Sequence, residues 1–362
     1  MTQRERQLLN WIEENPLISQ QELADKAGIT RSSVAVHISN LMKKGYITGK
    51  GYIVHTAPYV TVVGGVNMDI GAVSAGKLVA RDSNPGHVTT SLGGVGRNIA
   101  HNLALLGRDV HLISAVGSDF YGETLLEQTR QAGVNVSSCI RLHGHNTSTY
   151  LSIANQQEET VLAINDTHIL QQLTPQLLNG SRDLIRHSGV VLADCNLTAE
   201  AIEWVFTIAD DIPVFIDTVS EFKAEKMKTW FTRIHTLKPT QKELAILWGQ
   251  PIHTDADRVL AVNSLHQQGV KRIFVCLEDE SVFCSEKDGE QFLLTPPEHT
   301  VVDSFGADDA FMAGLLYSFL EGSEFRESAR FAMACAALSR ASVSINNPTL
   351  SADNALYLLQ TA

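Results

Sequence analysis

From Tyr59 onward the chain alternates short apolar runs with helical segments, and this alternation constrains the fold more than any other feature. The runs are Tyr59–Val63, Val110–Ala115, Val190–Ala193, Val214–Asp217, Thr236–Lys238 and Ile273–Leu277. Between them lie helical patterns at Asn98–Leu106, Gly122–Ala132, Ala199–Ile208, Gln241–Trp248 and Ala256–Gln268. Strands joined by helices predict a parallel sheet covered on both faces. Ligands of such a sheet bind beyond the C-terminal ends of its strands. Two stretches break the alternation. Residues 69–91 are loop- and strand-like, and 147–164 read as two strands around Asn155-Gln156. They are expected to form a small separate sheet that acts as a lid.

The first 55 residues follow another pattern. Leu8, Leu9 and Ile12 set a helical face over residues 3–14. Ser19 begins a capping box with Glu22, and Gly28 stops the helix that follows. Thr30 caps a third helix whose apolar face is Val34, Ile38, Leu41 and Met42. Tyr46-Ile47-Thr48 and Tyr52-Ile53-Val54 flank Gly49-Lys50-Gly51, a hairpin signal. The order predicts a winged helix-turn-helix over 1–55, then a linker at 55–58 and a second domain over 59–362. In the third helix Thr30, Arg31, Ser32, Ser33 and His37 are the candidate DNA-facing residues, with Lys43, Lys44 and Lys50 for phosphates. A winged helix also serves protein contact, and that reading stays open.

Charge supports two parts with different partners. The chain carries a formal −12, yet residues 1–55 hold seven Lys or Arg against five acids, a balance of +2. The larger part therefore has the wrong sign for nucleic acid or anionic membrane. The five cysteines are scattered and form no CxxC pair, which speaks for free thiols rather than a disulfide or metal framework. No apolar run approaches the roughly 20 residues of a membrane helix, and the N-terminus has no secretory pattern. A cytoplasmic protein without a membrane partner is expected.

Three groups of residues suggest chemistry. Gly64-Gly65-Val66-Asn67-Met68-Asp69 follows the first strand of the large part. Asn67 and Asp69 stand where a parallel sheet presents ligand-binding groups, although Asn and Asp also serve plain turns there. Ser91-Leu92-Gly93-Gly94-Val95-Gly96-Arg97-Asn98 opens a helix with paired glycines. It lets a ligand approach the backbone, or simply makes a tight turn, and it is no Walker loop. Ser304-Phe305-Gly306-Ala307-Asp308-Asp309 opens the apolar stretch Phe311–Leu320. A helix N-terminus offers unpaired N–H groups to an anion, and an adjacent carboxylate accepts a proton from an attacking hydroxyl. Together they read as phosphoryl transfer, against the bland alternative of a capping acid.

In this order and spacing the three groups resemble the ribokinase-like (PfkB) carbohydrate kinases, over about residues 59–355. Gly93-Gly94 to Asn98 resembles the family's N-terminal signature, and 303–311 its C-terminal signature, D-T-x-G-A-G-D. The stretches DSNPGHVTTSLGGVGRNIAHNLALLG, SAVGSDFYGETLL, ADCNL, PVFIDTVS, IHTLKP and NNPTLS are most similar to pseudouridine kinases. The resemblance implies an α/β fold: a three-layer α/β/α domain with a small β-sheet lid, here behind a winged helix-turn-helix. It implies Asp309 as catalytic base, with Gly306, Ala307 and Asp308 as anion hole. Asn67, Asp69, Gly93, Gly94 and Asn98 would bind the substrate. Glu243, with Thr240 before it, would order water around Mg2+ at the ATP site, with no protein side chain ligating the metal directly. A monovalent cation such as K+ and a homodimer are further expectations.

Three positions depart from the family pattern. Asp308 replaces the second Gly of G-A-G-D, and its carboxylate faces either the triphosphate or outward to the helix dipole. Thr240 replaces an Asn. Leu277-Glu278-Asp279-Glu280-Ser281 replaces a Gly-containing nucleotide loop and adds three acids. The expected activity is an ATP-dependent phosphotransfer to the primary 5′-hydroxyl of a nucleoside or sugar, pseudouridine first, beside a DNA-binding module. The alternative is a transcriptional regulator that uses a degenerate kinase domain as ligand sensor.

Overall fold

The computed structural model describes residues 1–15, 18–47, 58–157, 159–297, 301–302 and 304–361. It divides into two compact units, Met1–Ala57 and Pro58–Ala362.

In the first unit, helices α1 (Gln3–Glu14), α2 (Gln20–Ala27) and α3 (Arg31–Lys43) begin at Thr2, Ser19 and Thr30, each accepting the N3 backbone N–H. Glu5 and Glu22 complete capping boxes on the first two. Gly28, at φ +64°, ends α2 in the left-handed conformation that glycine adopts without strain. Leu8, Leu23, Ala24, Val34 and Ile38 form the core. Glu5 is buried and accepts from Lys44 Nζ at 2.6 Å. That bond, with the Thr2 backbone N–H, holds its carboxyl down at about 2. The hairpin expected over 46–54 falls outside the described residues from Thr48 onward, as do Lys50 and the linker up to Ala57.

The second unit is built on strands β1 (Val60–Val63), β2 (Asn67–Ser74), β3 (Gly86–Gly93), β4 (Val110–Ile113), β5 (Ala115–Gly117), β6 (Ile140–Leu142), β7 (Thr149–Ala154), β8 (Thr160–Asp166), β9 (Val190–Asp194), β10 (Val214–Asp217), β11 (Thr236–Lys238), β12 (Arg272–Cys276), β13 (Val282–Glu286) and β14 (Gln291–Leu294). The main sheet has eight strands in the order β14-β13-β12-β11-β10-β9-β1-β4. Six are parallel, and β13 and β14 are added antiparallel at one edge. Every residue of β1, β9, β10 and β11 is buried, as strands covered on both faces require.

One face is covered by α4 (Val95–Leu105), and the other by α6 (Ala199–Ala209), α7 (Gln241–Trp248) and α8 (Asp255–Gln267); α5 (Phe120–Gln131) follows the short strand β5. Helices α9 (Ala307–Leu320), α10 (Phe325–Arg340) and α11 (Ala352–Thr361) complete the first layer. Helix α9 is apolar around most of its circumference because neighbours enclose it. Strands β3-β2-β7-β8 make a separate four-stranded sheet with one parallel pair, β2 and β7. Among the described residues no helix is long and apolar enough to cross a membrane.

Candidate active site

Asp309 occupies the first turn of α9, three residues beyond its N-cap Gly306. Gly306 has φ +79°, and a Cβ there would stand 2.4 Å from the Ile345 carbonyl oxygen. Glycine therefore permits the tight entry into the helix. Ala310 N–H makes the first regular helical bond, to Gly306, so the N–H groups of Ala307, Asp308 and Asp309 precede the ladder. Ala307 N–H reaches Ser304 only at 3.4 Å.

The Asp309 carboxyl is buried, and Asn98 Nδ2 donates to its Oδ2 at 2.9 Å. Asn98 lies in α4, which starts where β3 ends. The turn between them needs both glycines. Gly94 has φ +100°, and a Cβ there would come within 2.5 Å of the Gly65 carbonyl oxygen. A Cβ on Gly93 would meet Asp69 Oδ2 at 2.2 Å. Asp69 in turn accepts from Asn67 Nδ2. The fold thus brings Asn67, Asp69, Gly93, Gly94, Asn98 and Asp309 to one place.

Burial pushes Asp309 up to about 8, and the charge of Asp217 pushes the same way. Asn98 and Lys238 pull it down, and Asp308 adds to the rise. Asp69 is likewise raised to about 6 by burial, against the opposing pull of Asn67 and Arg97. Lys238 pairs with Asp217 at 3.0 Å, both buried. Burial opposes its charge, but Asp217 and then Asp308 outweigh that and hold its ammonium well above the ordinary range.

Two cavities flank the α9 entrance. One of about 490 Å3 is lined by Asp69, Thr89, Ser91, Arg97 and Tyr150 together with Phe305. The other, an open groove of about 850 Å3, is lined by Thr240, Lys242, Leu277, Ser281 and Asp308. Phe305 and Asp308 thus face opposite sides of one turn. Asp308 is exposed and is among the residues that line the groove.

Thr240 and Glu243 stand at the groove side of β11 as a capping box for α7. Thr240 N–H donates to Glu243 Oε2 at 2.8 Å, and Thr218 Oγ1 donates to the same oxygen at 2.6 Å. Any further contact by Glu243 falls to Oε1. The three acids after Leu277 have partners of their own. Glu278 meets Lys242, Asp279 accepts from Ser281 and Glu280 meets Arg340 at 3.4 Å. Glu280 sits at φ +65°, the left-handed region where glycine costs less.

Sequence reasoning passed over five site residues. Asp194 and Asp217 end β9 and β10, and Lys238 ends β11. The signal was there: polar residues closing otherwise apolar strands at the sheet's ligand-binding edge. Asp194 accepts the backbone N–H groups of Gly65 at 2.7 Å, Gly96 at 3.0 Å and Asn196 at 2.9 Å. It staples the two glycine turns together. Arg97 and Asn346, in contact at 2.7 Å, are far apart in the chain and offered no local signal.

In the first unit Arg31 and Ser32 are exposed on α3, whereas Ser33 is half-buried and bonded to Thr30. His37 is also half-buried, with a buried Nδ1 that has no partner among the described residues. Val36, 59% exposed, occupies the outer face instead.

Residues 57–352 match the pfkB family carbohydrate kinases, and residues 1–48 match winged helix-turn-helix DNA-binding modules. The chain belongs to the pfkB carbohydrate kinase family. It is 69% identical to the uncharacterized sugar kinase YeiI of Escherichia coli (strain K12), over 99% of both chains. It is 40% identical to the pseudouridine kinase of the same organism, over 84% of this chain and 97% of that one. The ribokinase of Arabidopsis thaliana, solved with ribose and ATP, shares the fold at TM-score 0.77 and 23% identity, over 84% of this chain and all of the other. The protein is a sugar or nucleoside kinase of ribokinase-like fold.

Proposed function

We propose that this kinase transfers the γ-phosphoryl group of MgATP to the primary 5′-hydroxyl of a ribosyl nucleoside, with pseudouridine as the favoured acceptor. One observation carries the reading. The Asn98–Asp309 hydrogen bond joins the two signature elements beside a cavity, at a helix N-terminus. Asp309 takes the proton of the attacking hydroxyl, and the N–H groups of Gly306, Ala307 and Asp308 face the transferring phosphate. Asp69 and Asn67 hold acceptor hydroxyls. Gly93 and Gly94 let the acceptor approach the backbone. The groove on the Asp308 side receives the nucleotide, with Thr240 and Glu243 at its edge. Mg2+ bound to phosphate oxygens and water would supply charge neutralisation there. Among the described residues no cluster of three or more His, Cys, Asp or Glu is placed to hold an ion by itself. A monovalent cation such as K+ is part of the proposal, and activity in K+ against tetramethylammonium salts tests it.

The 40% identical pseudouridine kinase and the polar cavity wall of Thr89, Ser91, Tyr150 and Ser152 support this acceptor. This wall is one face of the four-stranded sheet, which we assign as the lid. The other face is apolar: Ala72, Val88, Ile153 and Leu162 form one cross-strand row, and Ile70, Leu151 and Ile164 another. Val88, Leu162 and Ile164 are each more than half exposed, which supports a homodimer through this face. The first 55 residues bind double-stranded DNA through Arg31 and Ser32, and the whole works in the cytoplasm. The deciding experiment is a kinase assay over nucleosides and sugars. Preferred turnover of pseudouridine, lost in Asp309→Asn, supports the reading. No turnover of any acceptor, with ligand-dependent DNA binding intact, would establish a regulator instead.

A further inference from the structure

We propose that Arg97 is a positioning residue for the Asp309 carboxylate, acting through a buried hydrogen-bond relay that runs Asn346–Arg97–Asn98–Asp309. The inference rests on Asp309 being the base. Arg97 is 4% exposed. Its Nη1 donates to Asn98 Oδ1 at 2.9 Å and to Asn346 Oδ1 at 2.7 Å. Asn346 Nδ2 donates to the Asn98 carbonyl at 3.0 Å and to Asn102 Oδ1 at 2.9 Å.

The direction of this relay is fixed by chemistry. An amide side chain fits a site in two orientations, with oxygen and nitrogen exchanged. A guanidinium only donates. Beside Arg97, Asn98 must therefore present Oδ1 to the arginine and Nδ2 to Asp309. Asn346 is held the same way, with its oxygen on Arg97. Asp309 Oδ2 thus receives a fixed donor, and Oδ1 is left to accept the proton of the attacking hydroxyl. Without Arg97, a turned Asn98 would set its oxygen against the carboxylate, and two amide oxygens would be buried without partners.

The charges around Asp309 agree with this role. Asp308 stands on its own helix, Asp217 ends β10, Lys238 ends β11, and Asp69 lies on β2. On α4 Arg97 lies beside Asn98, and His101 Nδ1 meets its Nη2 at 3.0 Å. Burial keeps His101 neutral, pushed down to about 4, so it adds no positive charge. Burial lowers Arg97 to about 10, and Asp309 and Asp69 oppose that fall. It remains a cation across the working range, with Asp309 and Asp69 as its acidic neighbours.

The test compares wild type, Arg97→Gln and Arg97→Lys. The acid limb of kcat/KM is measured with pseudouridine at saturating MgATP. In parallel, the Asp309 carboxyl is titrated by 13C NMR in the ligand-free protein, with Asp309→Asn for assignment. In Arg97→Gln both midpoints should rise by about one unit, kcat should fall about tenfold or more, and the KM for ATP should hold. Arg97→Lys, which keeps charge and donor, should return the midpoint toward wild type. An unmoved midpoint in Arg97→Gln overturns the proposal, whatever happens to kcat or melting temperature. If Arg97→Gln does not fold, Asn346→Leu removes the arginine's anchor, and an unmoved NMR midpoint there overturns it equally. Activity retained by Asp309→Asn would sink the base assignment instead, while the NMR titration still decides on Arg97.

Discussion

Two adjacent aspartates at the entrance of α9 meet opposite environments. Asp309 is buried beneath Asn98, and Asp308 is exposed along the groove. Burial raises Asp309 to about 8, which favours its protonated form in the free enzyme. A base must be ionised, and kcat/KM should therefore rise with pH up to about 8 and flatten above it. Asp309→Asn should lower kcat by about 10^2- to 10^4-fold. The same shift links to stability. A carboxyl raised above its unfolded value of about 3.9 stabilises the fold at low pH, and that contribution is lost as pH rises toward 8. Asp309→Asn should therefore melt higher than wild type at pH 9, with the gap narrowing toward pH 4. An inverted pH trend would mean that Asp309 is ionised in the native state throughout. Asp308 should oppose the nucleotide's phosphates, with Lys238 offsetting part of the effect. Asp308→Gly should then lower the KM for ATP by about threefold, the size of one partly screened charge, and an unchanged KM would place the carboxylate away from the triphosphate.

At the scale of elements, the sequence made caps and glycine turns visible because their chemistry is local. Ser19, boxed by Glu22, and Thr30 are legible as caps and do cap their helices, whereas the boxes of Thr2 with Glu5 and Thr240 with Glu243 emerge only in the structure. The capping box of Thr240 and Glu243 also shows what local reading could not see. The family resemblance implies it as a nucleotide-site pair, yet it first serves to start α7, with Thr218 from another strand end sharing Glu243. The antiparallel pair β13 and β14 was missed, since edge pairing is set by the neighbour strand and not by the run itself. Gly93-Gly94 was legible as a turn, but the reason each must be glycine lies across the fold, in Asp69 and Gly65. Gly94→Ala should destabilise the protein by about 1–3 kcal/mol through its positive φ alone, with the contact to Gly65 adding to that. Gly93→Ala should instead raise the KM for the acceptor by displacing Asp69. Denaturant unfolding and acceptor kinetics on the two variants separate these outcomes, and equal effects from both would contradict the assignment.

For the whole molecule, alternating strands and helices made the parallel sheet readable, because the two periods of hydrophobicity are intrinsic to the chain. Strand order was not readable, and neither was the meeting of Asn98 with Asp309, 211 residues apart. Such contacts appear only when the sheet edge gathers β1, β9, β10 and β11. The four-stranded sheet carries the last consequence. Its polar face lines the cavity proposed for the acceptor, while its other face exposes Val88 and Leu162 in one cross-strand row and Ile164 in the next. An exposed apolar sheet face of this kind marks an interaction surface. In the proposed homodimer a second copy would cover it by symmetry, each face packing on its equal. Ile164→Glu places a charge on that face, on its edge strand β8, and should convert the proposed dimer to a monomer in sedimentation velocity, with the secondary structure unchanged by circular dichroism. Ile164 points away from the cavity, so a rise in acceptor KM in the same variant would show that the lid needs its partner to hold its position. A wild type that sediments as a monomer at micromolar concentration would remove the dimer from the proposal and leave the apolar face to another partner.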